Sequence, residues 1–216
     1  MPLSVDVFWS FRSPYSYLAT PQMVALEREW DLSFGIRPVY PIAIRLAGWF
    51  KNANPMWLPY LQRDVMREAE RLGVPFSWPK PDPVLMNLKT GEVPKEQPHI
   101  HRLTRLGVAA SEEGKGLAFI TQVSATLYGG QAVDWHEGNH LADAASRAGL
   151  DLAALDAKIS ADPMHYESVI EENQQAHRKC GHWGVPTFAF NGEPFFGQDR
   201  LDALLWRLQK NGLQKR

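Results

Sequence analysis

The first forty residues constrain the fold more than any other stretch. Leu3, Val5, Val7 and Trp9 alternate with Ser4, Asp6 and Phe8, the period-two pattern of a strand with one face toward a core. Ser10 to Ser13 interrupts the pattern. Ser13-Pro14 then reads as a helix start, with serine at the N-cap and proline at the first helical position, where its missing N–H costs nothing. Tyr17, Leu18, Val24, Leu26 and Trp30 predict a helix to about residue 29, kinked or split near Pro21. Within residues 31–40, Leu32, Phe34 and Ile36 alternate again. Strand, helix, strand is the unit that lays two parallel strands beside one helix.

The other end of the chain has a matching character. Residues 184–190 (GVPTFAF) predict a short strand, Asn191-Gly192 a hairpin turn and Pro194 to Phe196 the return strand. Leu201, Leu204, Leu205 and Leu208 mark a closing amphipathic helix. Between the two ends the patterning is helical. Helices are expected at residues 59–73, 99–112, 114–128, 135–148, 152–160 and 164–180, the first stopping at Gly73. Residues 74–97 fit neither period and hold five of the 16 prolines, with Pro98 at the border and a turn at Lys89-Thr90-Gly91. This order predicts an α/β chain with a thioredoxin-like fold and a large all-helical insertion. Residues 1–50 and 181–216 would form the thioredoxin-like domain and residues 51–180 the insertion domain.

Composition narrows the function classes. The chain has 216 residues, of which 44% are hydrophobic and 22% charged, and a net charge of −1. Such a balance carries no electrostatic footprint for nucleic acid or an anionic membrane surface. No apolar run approaches the roughly 20 residues of a membrane span, and the N-terminal stretch lacks the basic start of a secretory signal. A cytoplasmic protein with no membrane partner is expected. The single cysteine, Cys180, excludes an intrachain disulfide, a C-x-x-C redox pair and a multi-cysteine zinc site within one subunit. A buried, inert thiol is expected there.

The stretch Phe11-Arg12-Ser13-Pro14-Tyr15-Ser16-Tyr17-Leu18-Ala19 follows the first strand. With the late Gly184-Val185-Pro186-Thr187 and Gly197-Gln198-Asp199-Arg200, it resembles 2-hydroxychromene-2-carboxylate isomerases and kappa-class glutathione transferases. Both belong to the DsbA-like branch of the thioredoxin fold. Redox relatives begin the first helix with C-x-x-C, whereas Ser13 and Ser16 stand at those positions here, and a hydroxyl cannot exchange disulfides. The helix N-terminus remains a site for an anion. The resemblance implies that this anion is the thiolate of glutathione, with Ser13 as the catalytic hydrogen-bond donor that lowers the thiol pKa. It further implies a cis bond at Val185-Pro186, with Val185 pairing the cysteinyl part of the cofactor. Gln198 and Asp199 would receive the γ-glutamyl end, which carries both a carboxylate and an ammonium group. Simple helix capping is the plainer role open to Ser13, Gln198 and Asp199.

An asparagine after the second strand also contributes in these relatives, and Asn52 and Asn54 are candidates, Asn54 preferred. The kappa-class lysine has no counterpart, since Trp57 stands where it is sought. Trp49, Phe50 and Trp57 are candidates for an apolar pocket wall. Arg12 replaces the apolar residue usual before the serine. It would aid the thiolate or a substrate carboxylate, or else point into water, the ordinary fate of a lone arginine.

The implied activity is glutathione-dependent cis-trans isomerisation of a small aromatic substrate, in a homodimer active in aromatic catabolism. A kappa-like transferase acting on apolar electrophiles and a non-catalytic glutathione-binding protein are the alternatives. His136-Glu137-Gly138-Asn139-His140 matches H-E-x-x-H, the pattern of zinc proteases. Gly138 and Asn139 are poor interior helix residues, however, and Asp134 with Glu137 is expected to form a capping box. His99 and His101, two apart on a predicted helix, would face apart. No metal site is therefore expected.

Overall fold

The computed structural model describes residues 2–87 and 89–216. One sheet forms from β1 (Leu3–Trp9), β2 (Leu32–Pro38), β3 (Thr187–Phe190) and β4 (Glu193–Phe196), in the order β2-β1-β3-β4. β1 runs parallel to β2, and α1 (Pro14–Glu29) makes the crossover that a parallel pair requires. β3 runs antiparallel to both β1 and β4. Asn191 and Gly192 turn the β3–β4 hairpin with φ of 51° and 81°, the left-handed pair that a tight two-residue turn needs.

Between β2 and β3 lie α2 (Ile42–Arg45), α3 (Trp49–Asn52), α4 (Trp57–Leu72), α5 (Ile100–Glu112), α6 (Gly116–Tyr128), α7 (His140–Arg147), α8 (Leu152–Ala161) and α9 (Pro163–Lys179). A 3-10 turn at Gln198–Arg200 leads into α10 (Leu201–Lys210). The fold is thus the expected thioredoxin-like sheet with helices inserted between β2 and β3. Among the described residues no helix is long and apolar enough to cross a membrane.

Register explains the core. Val5 pairs with Phe34, and Val7 pairs with both Ile36 and Phe188; all are buried on the sheet face that also carries Trp9. The reverse face holds Ser4, Asp6 and Phe8. Phe8 is buried there because His177 of α9 stacks on it at 4.5 Å between ring centroids. Asp6 pairs with Arg37 at 3.1 Å.

The join between β1 and α1 is braced by its own side chains and by side chains from the inserted helices. The indole N–H of Trp9 donates to the Ser16 carbonyl at 3.2 Å, and the Tyr128 hydroxyl donates to the Phe11 carbonyl at 3.2 Å. Phe11 is fully buried, edge-on to Trp9 and to Phe119 of α6. On α5, Gly107 lets the Phe11 ring approach so closely that a Cβ there would stand 2.9 Å from a ring carbon.

Four local expectations change. α1 runs unbroken through Pro21, which is exposed. The helix expected from residue 135 starts at His140, because Asp134 and Gly138 have φ of 55° and 54°, a conformation no α-helix contains. The Asp134–Glu137 capping box is accordingly replaced by a turn in which the Glu137 N–H donates to the Asp134 backbone carbonyl at 2.8 Å. The strand expected from Gly184 begins at Thr187, since Pro186 has no N–H for a ladder. Finally, α2 and α3 were not anticipated; at four residues each they are too short to show a period.

Phe11→Ala is expected to cost about 3–5 kcal/mol in urea unfolding, the range for emptying a buried aromatic site. A loss below about 1 kcal/mol would mean that the join is not held by this packing.

Candidate active site

Ser13 caps α1 with its backbone extended. Its Oγ accepts the Ser16 N–H at 3.1 Å and donates to the Val185 carbonyl at 3.2 Å. Ser16 is buried behind it. The Val185–Pro186 peptide bond is cis, as is Lys80–Pro81. The Pro186 carbonyl accepts the Gly197 N–H at 2.9 Å, which joins the Val185 loop to the turn carrying Gln198 and Asp199.

Ser13 and Val185 open onto an apolar cavity of about 360 Å³. α1 contributes Pro14 and Tyr15; α2 contributes Ile42 and Arg45; α3 contributes Trp49 and Phe50; α4 contributes Trp57, Tyr60 and Leu61; Trp183 and Phe196 close the far side. Trp49 meets Trp57 edge-to-face at 4.8 Å and Phe50 at 5.0 Å, the offset geometry aromatic rings favour. The Tyr15 hydroxyl donates to Asp64 at 2.7 Å. Burial, and then that carboxylate, push its pKa above the ordinary tyrosine range, so it stays a neutral phenol.

Two guanidinium groups line this cavity, in different states. Arg12 forks onto Asp82 through Nε at 2.8 Å and Nη2 at 2.9 Å, while lying 5.2 Å above the Phe50 ring. Only 12% of its side chain is exposed. Of the alternatives open to it, pointing into water is not the one seen: Arg12 lines the cavity, and a carboxylate 70 residues away along the chain holds it in the wall. Arg45 donates to two backbone carbonyls, Tyr40 at 2.6 Å and Trp183 at 2.9 Å. Among the described residues no carboxylate lies within ion-pair distance of it. Burial, helped by the charge of Arg178, lowers its pKa to about 10, which leaves it cationic at neutral pH.

Gln198 is buried, donating from Nε2 to Glu68 of α4 at 2.7 Å and accepting from Gln22 of α1 at 3.5 Å. Glu68 also takes the Arg71 guanidinium at 2.6 Å; this bond, opposed by partial burial, lowers its pKa. Asp199 is exposed, 3.2 Å from Arg200. Asn54 is not brought to the cavity. Its Oδ1 accepts the Met56 N–H at 2.9 Å, and with Asn52 it lines a separate depression that also touches Trp49 and Trp57. Sequence reasoning missed Arg45, Asp82 and Glu68. Each is an isolated charge whose meaning comes only from neighbours distant in sequence.

The remaining motifs stand apart from the cavity. His136 packs on His99 at 4.7 Å, outside any helix, and His99 precedes α5 instead of lying on it. His101 meets Tyr40 edge-on at 4.9 Å. Among the described residues no group of three or more His, Cys, Asp or Glu side chains is placed to hold a metal. Cys180 is half-buried with Sγ 3.0 Å from the His177 carbonyl, and burial raises its pKa.

A four-strand sheet with a helix start at Ser13, facing a cis-proline loop, defines a thioredoxin-type domain. The family model described as a DSBA-like thioredoxin domain matches residues 4–209, and the chain belongs to that family. It is 26% identical over 208 residues to the 2-hydroxychromene-2-carboxylate isomerase of Sphingobium xenophagum, covering 94% of this chain and 97% of the relative. It is also 26% identical over 221 residues to glutathione S-transferase kappa 1 of Rattus norvegicus, covering 96% and 91%. Among solved structures, a 2-hydroxychromene-2-carboxylate isomerase superposes with a TM-score of 0.69 at 22% identity, covering 96% of this chain and 95% of the other.

His177 of α9 stacks on Phe8 and lies near enough to Arg45 to feel its charge. It is fully buried, and neither ring nitrogen has a hydrogen-bond partner among the described residues. Burial, and next the Arg45 charge, depress its pKa to about 3. An unfolded histidine protonates near about 6.5, so stability should fall as pH drops from about 6.5 toward 3, by at most about 1.4 kcal/mol per pH unit. The urea midpoint of His177→Phe should therefore change less than that of the wild type between about pH 7 and pH 4.5. Equal slopes would show that His177 takes a proton in the fold without penalty.

Proposed function

We propose that this chain is a glutathione-dependent isomerase of conjugated aromatic carboxylates, resembling 2-hydroxychromene-2-carboxylate isomerase. The observation that carries the reading is the Ser13 hydroxyl at the α1 N-terminus, beside the Val185 carbonyl, at the mouth of an aromatic cavity with an unmatched guanidinium. The residues fit the cofactor. Ser13 Oγ and the Val185 carbonyl satisfy one another here, and both are the kinds of group a cysteinyl unit can take over: one donor for sulfur, one acceptor for an amide N–H. A 16-residue helix supplies the positive end of its dipole at the same point.

When bound, glutathione supplies a thiolate nucleophile that adds reversibly to a conjugated carbon and leaves again unchanged. Ser13 would donate to the sulfur and favour its ionised form. Val185 would hold the cysteinyl backbone, while Gln198 and Asp199, with Glu68 beside them, would receive the γ-glutamyl end. Trp49, Phe50 and Trp57 would cover the ring of the substrate and exclude water. Arg45 would take the substrate carboxylate through its remaining donors, a charge-assisted bond in an apolar setting. Asn54 could join only if α3 and the loop before α4 were to rearrange. The overall change is that of the conversion of 2-hydroxychromene-2-carboxylate to trans-o-hydroxybenzylidenepyruvate. The cyclic hemiketal opens: the ring C–O bond breaks, the hemiketal hydroxyl becomes the ketone and its proton passes to the phenol oxygen. Together with this, one carbon–carbon double bond converts from cis to trans. A homodimer in a cytoplasmic setting belongs to the same reading.

An absorbance assay with 2-hydroxychromene-2-carboxylate, with and without glutathione, tests it. Isomerisation should need glutathione and leave its concentration unchanged; stoichiometric consumption would instead favour the kappa-like transferase, and glutathione binding without turnover the non-catalytic alternative. Ser13→Ala should lower kcat at least about 100-fold, the range for removing an oxyanion-type donor, while costing only about 1 kcal/mol of stability from the lost cap. Full activity in that variant would remove Ser13 from its role. Arg45→Gln should raise KM for the carboxylate substrate about tenfold or more, through loss of an interaction to charge worth about 1.5–3 kcal/mol. An unchanged KM would place the substrate carboxylate elsewhere.

A further inference from the structure

Among its described residues the proline-rich stretch between α4 and α5 forms no helix or strand, yet it packs against two parts of the cavity wall, α3 and Arg12. Near its tip, Gly91 lies against α3 so closely that a Cβ would stand 2.9 Å from the Lys51 amide nitrogen. Nearer its start, Asp82 sits between Pro81 and Pro83 and receives the forked Arg12 guanidinium. Asp82 itself does not line the cavity, whereas Arg12 does.

Three contacts hold Asp82 in place. Its Oδ1 accepts the Val84 N–H at 2.9 Å; the buried Trp135 donates its indole N–H to the Pro81 carbonyl at 2.8 Å; and the Asp134 N–H donates to the Lys80 carbonyl at 3.0 Å. The turn at Asp134 to His136, which has no part in the proposed chemistry, is thus the peg on which this strap hangs. Pro81 and Pro83 fix their own φ on either side, so little backbone freedom is left to lose when the ion pair forms. The pair is bidentate, the geometry in which an arginine–carboxylate contact is strong and specific. Of the two guanidiniums in the wall, one is therefore neutralised by a carboxylate outside the cavity and the other is not.

We propose that Asp82 sets the charge specificity of the cavity: by neutralising Arg12 it leaves Arg45, among the described residues, as the only unmatched guanidinium in the wall, so that aromatic ligands with one carboxylate are accepted and those with two are rejected. A second carboxylate would have to leave water for a wall whose other cation is already engaged. Asp82 acts through Arg12 and is a positioning residue. The inference rests on the reading of this cavity as the site of an aromatic carboxylate, and it does not depend on glutathione.

Calorimetric titration of the full chain with trans-cinnamate, which has one carboxylate, and 4-carboxycinnamate, which has two, tests it directly. The wild type should bind cinnamate at least about tenfold more tightly, the size of one charge-assisted hydrogen bond near 1.4 kcal/mol. Asp82→Asn keeps an oxygen for the Val84 N–H and removes the charge; it should abolish or invert that preference by strengthening 4-carboxycinnamate binding about tenfold. In the double variant Arg12→Gln/Asp82→Asn the preference for cinnamate should return, because the freed cation is gone. If the wild type binds cinnamate but Asp82→Asn leaves its preference unchanged, or if the double variant keeps the gain, the role of Asp82 is overturned and the carboxylate cavity stands. Equal wild-type affinity for both ligands overturns it as well. A wild type that binds neither ligand overturns the cavity reading and this inference together.

Discussion

The bracing of the β1–α1 join is the constraint on which the rest of the structure depends. A helix N-terminus is useful for chemistry only if its first turn stays fixed while a ligand pulls on it. Here the turn is clamped from three directions. Trp9 reaches forward to the Ser16 carbonyl, Tyr128 reaches in from α6 to the Phe11 carbonyl, and Phe11 fills the hollow that Gly107 leaves on α5. The inserted helices are therefore more than a cover. They are the other half of the vice that holds Ser13, and a thioredoxin-like sheet without them would leave the Phe11 ring in water.

Charge placement is the second organising theme. The chain is close to neutral overall, so binding through bulk charge is weak and individual groups decide what is recognised. Burial keeps Tyr15, Tyr40 and Tyr128 as phenols and His177 as a neutral ring. Arg12 and Arg45 are the cations that remain at the cavity. Arg45 is held by backbone carbonyls, which orient a guanidinium without cancelling its charge; Asp82 orients Arg12 and cancels it. Two arginines in one small cavity thus differ because of what stands behind each of them.

Much of the fold was legible in the sequence because it is written in periods. Alternation at Leu3 to Trp9 and Leu32 to Ile36 gave the parallel pair, Asn191-Gly192 gave the hairpin, and Ser13-Pro14 marked the start of α1 to the residue. Short helices escaped because four residues complete barely one turn, as in α2 and α3. The false helix start at residue 134 arose because a capping box and an isolated turn use the same residue types; only the left-handed φ of Asp134 and Gly138 separates them. At the cavity, the position of Ser13 was legible from its cap, whereas Val185 and its cis-proline came only from the family resemblance; the structure brings the two together. Residues whose role lies in a partner were not legible. Arg12 was noticed as unusual, but nothing in its neighbours along the chain points to Asp82, and Arg45 has no motif at all.

The bond from Ser13 Oγ to the Val185 carbonyl has a consequence for how such a site fills. A hydroxyl and a carbonyl that already satisfy each other present no orphaned polar groups to the cavity, so the resting site carries little penalty for being only half wetted. A ligand that offers both an acceptor and a donor exchanges two new hydrogen bonds for one old bond and some water. A ligand that offers only one of them leaves the other group stranded. On the proposed reading the serine and the carbonyl behind the cis-proline would act as a two-key lock, matched by a molecule with sulfur and amide side by side and left half-open by a ligand that offers an acceptor alone.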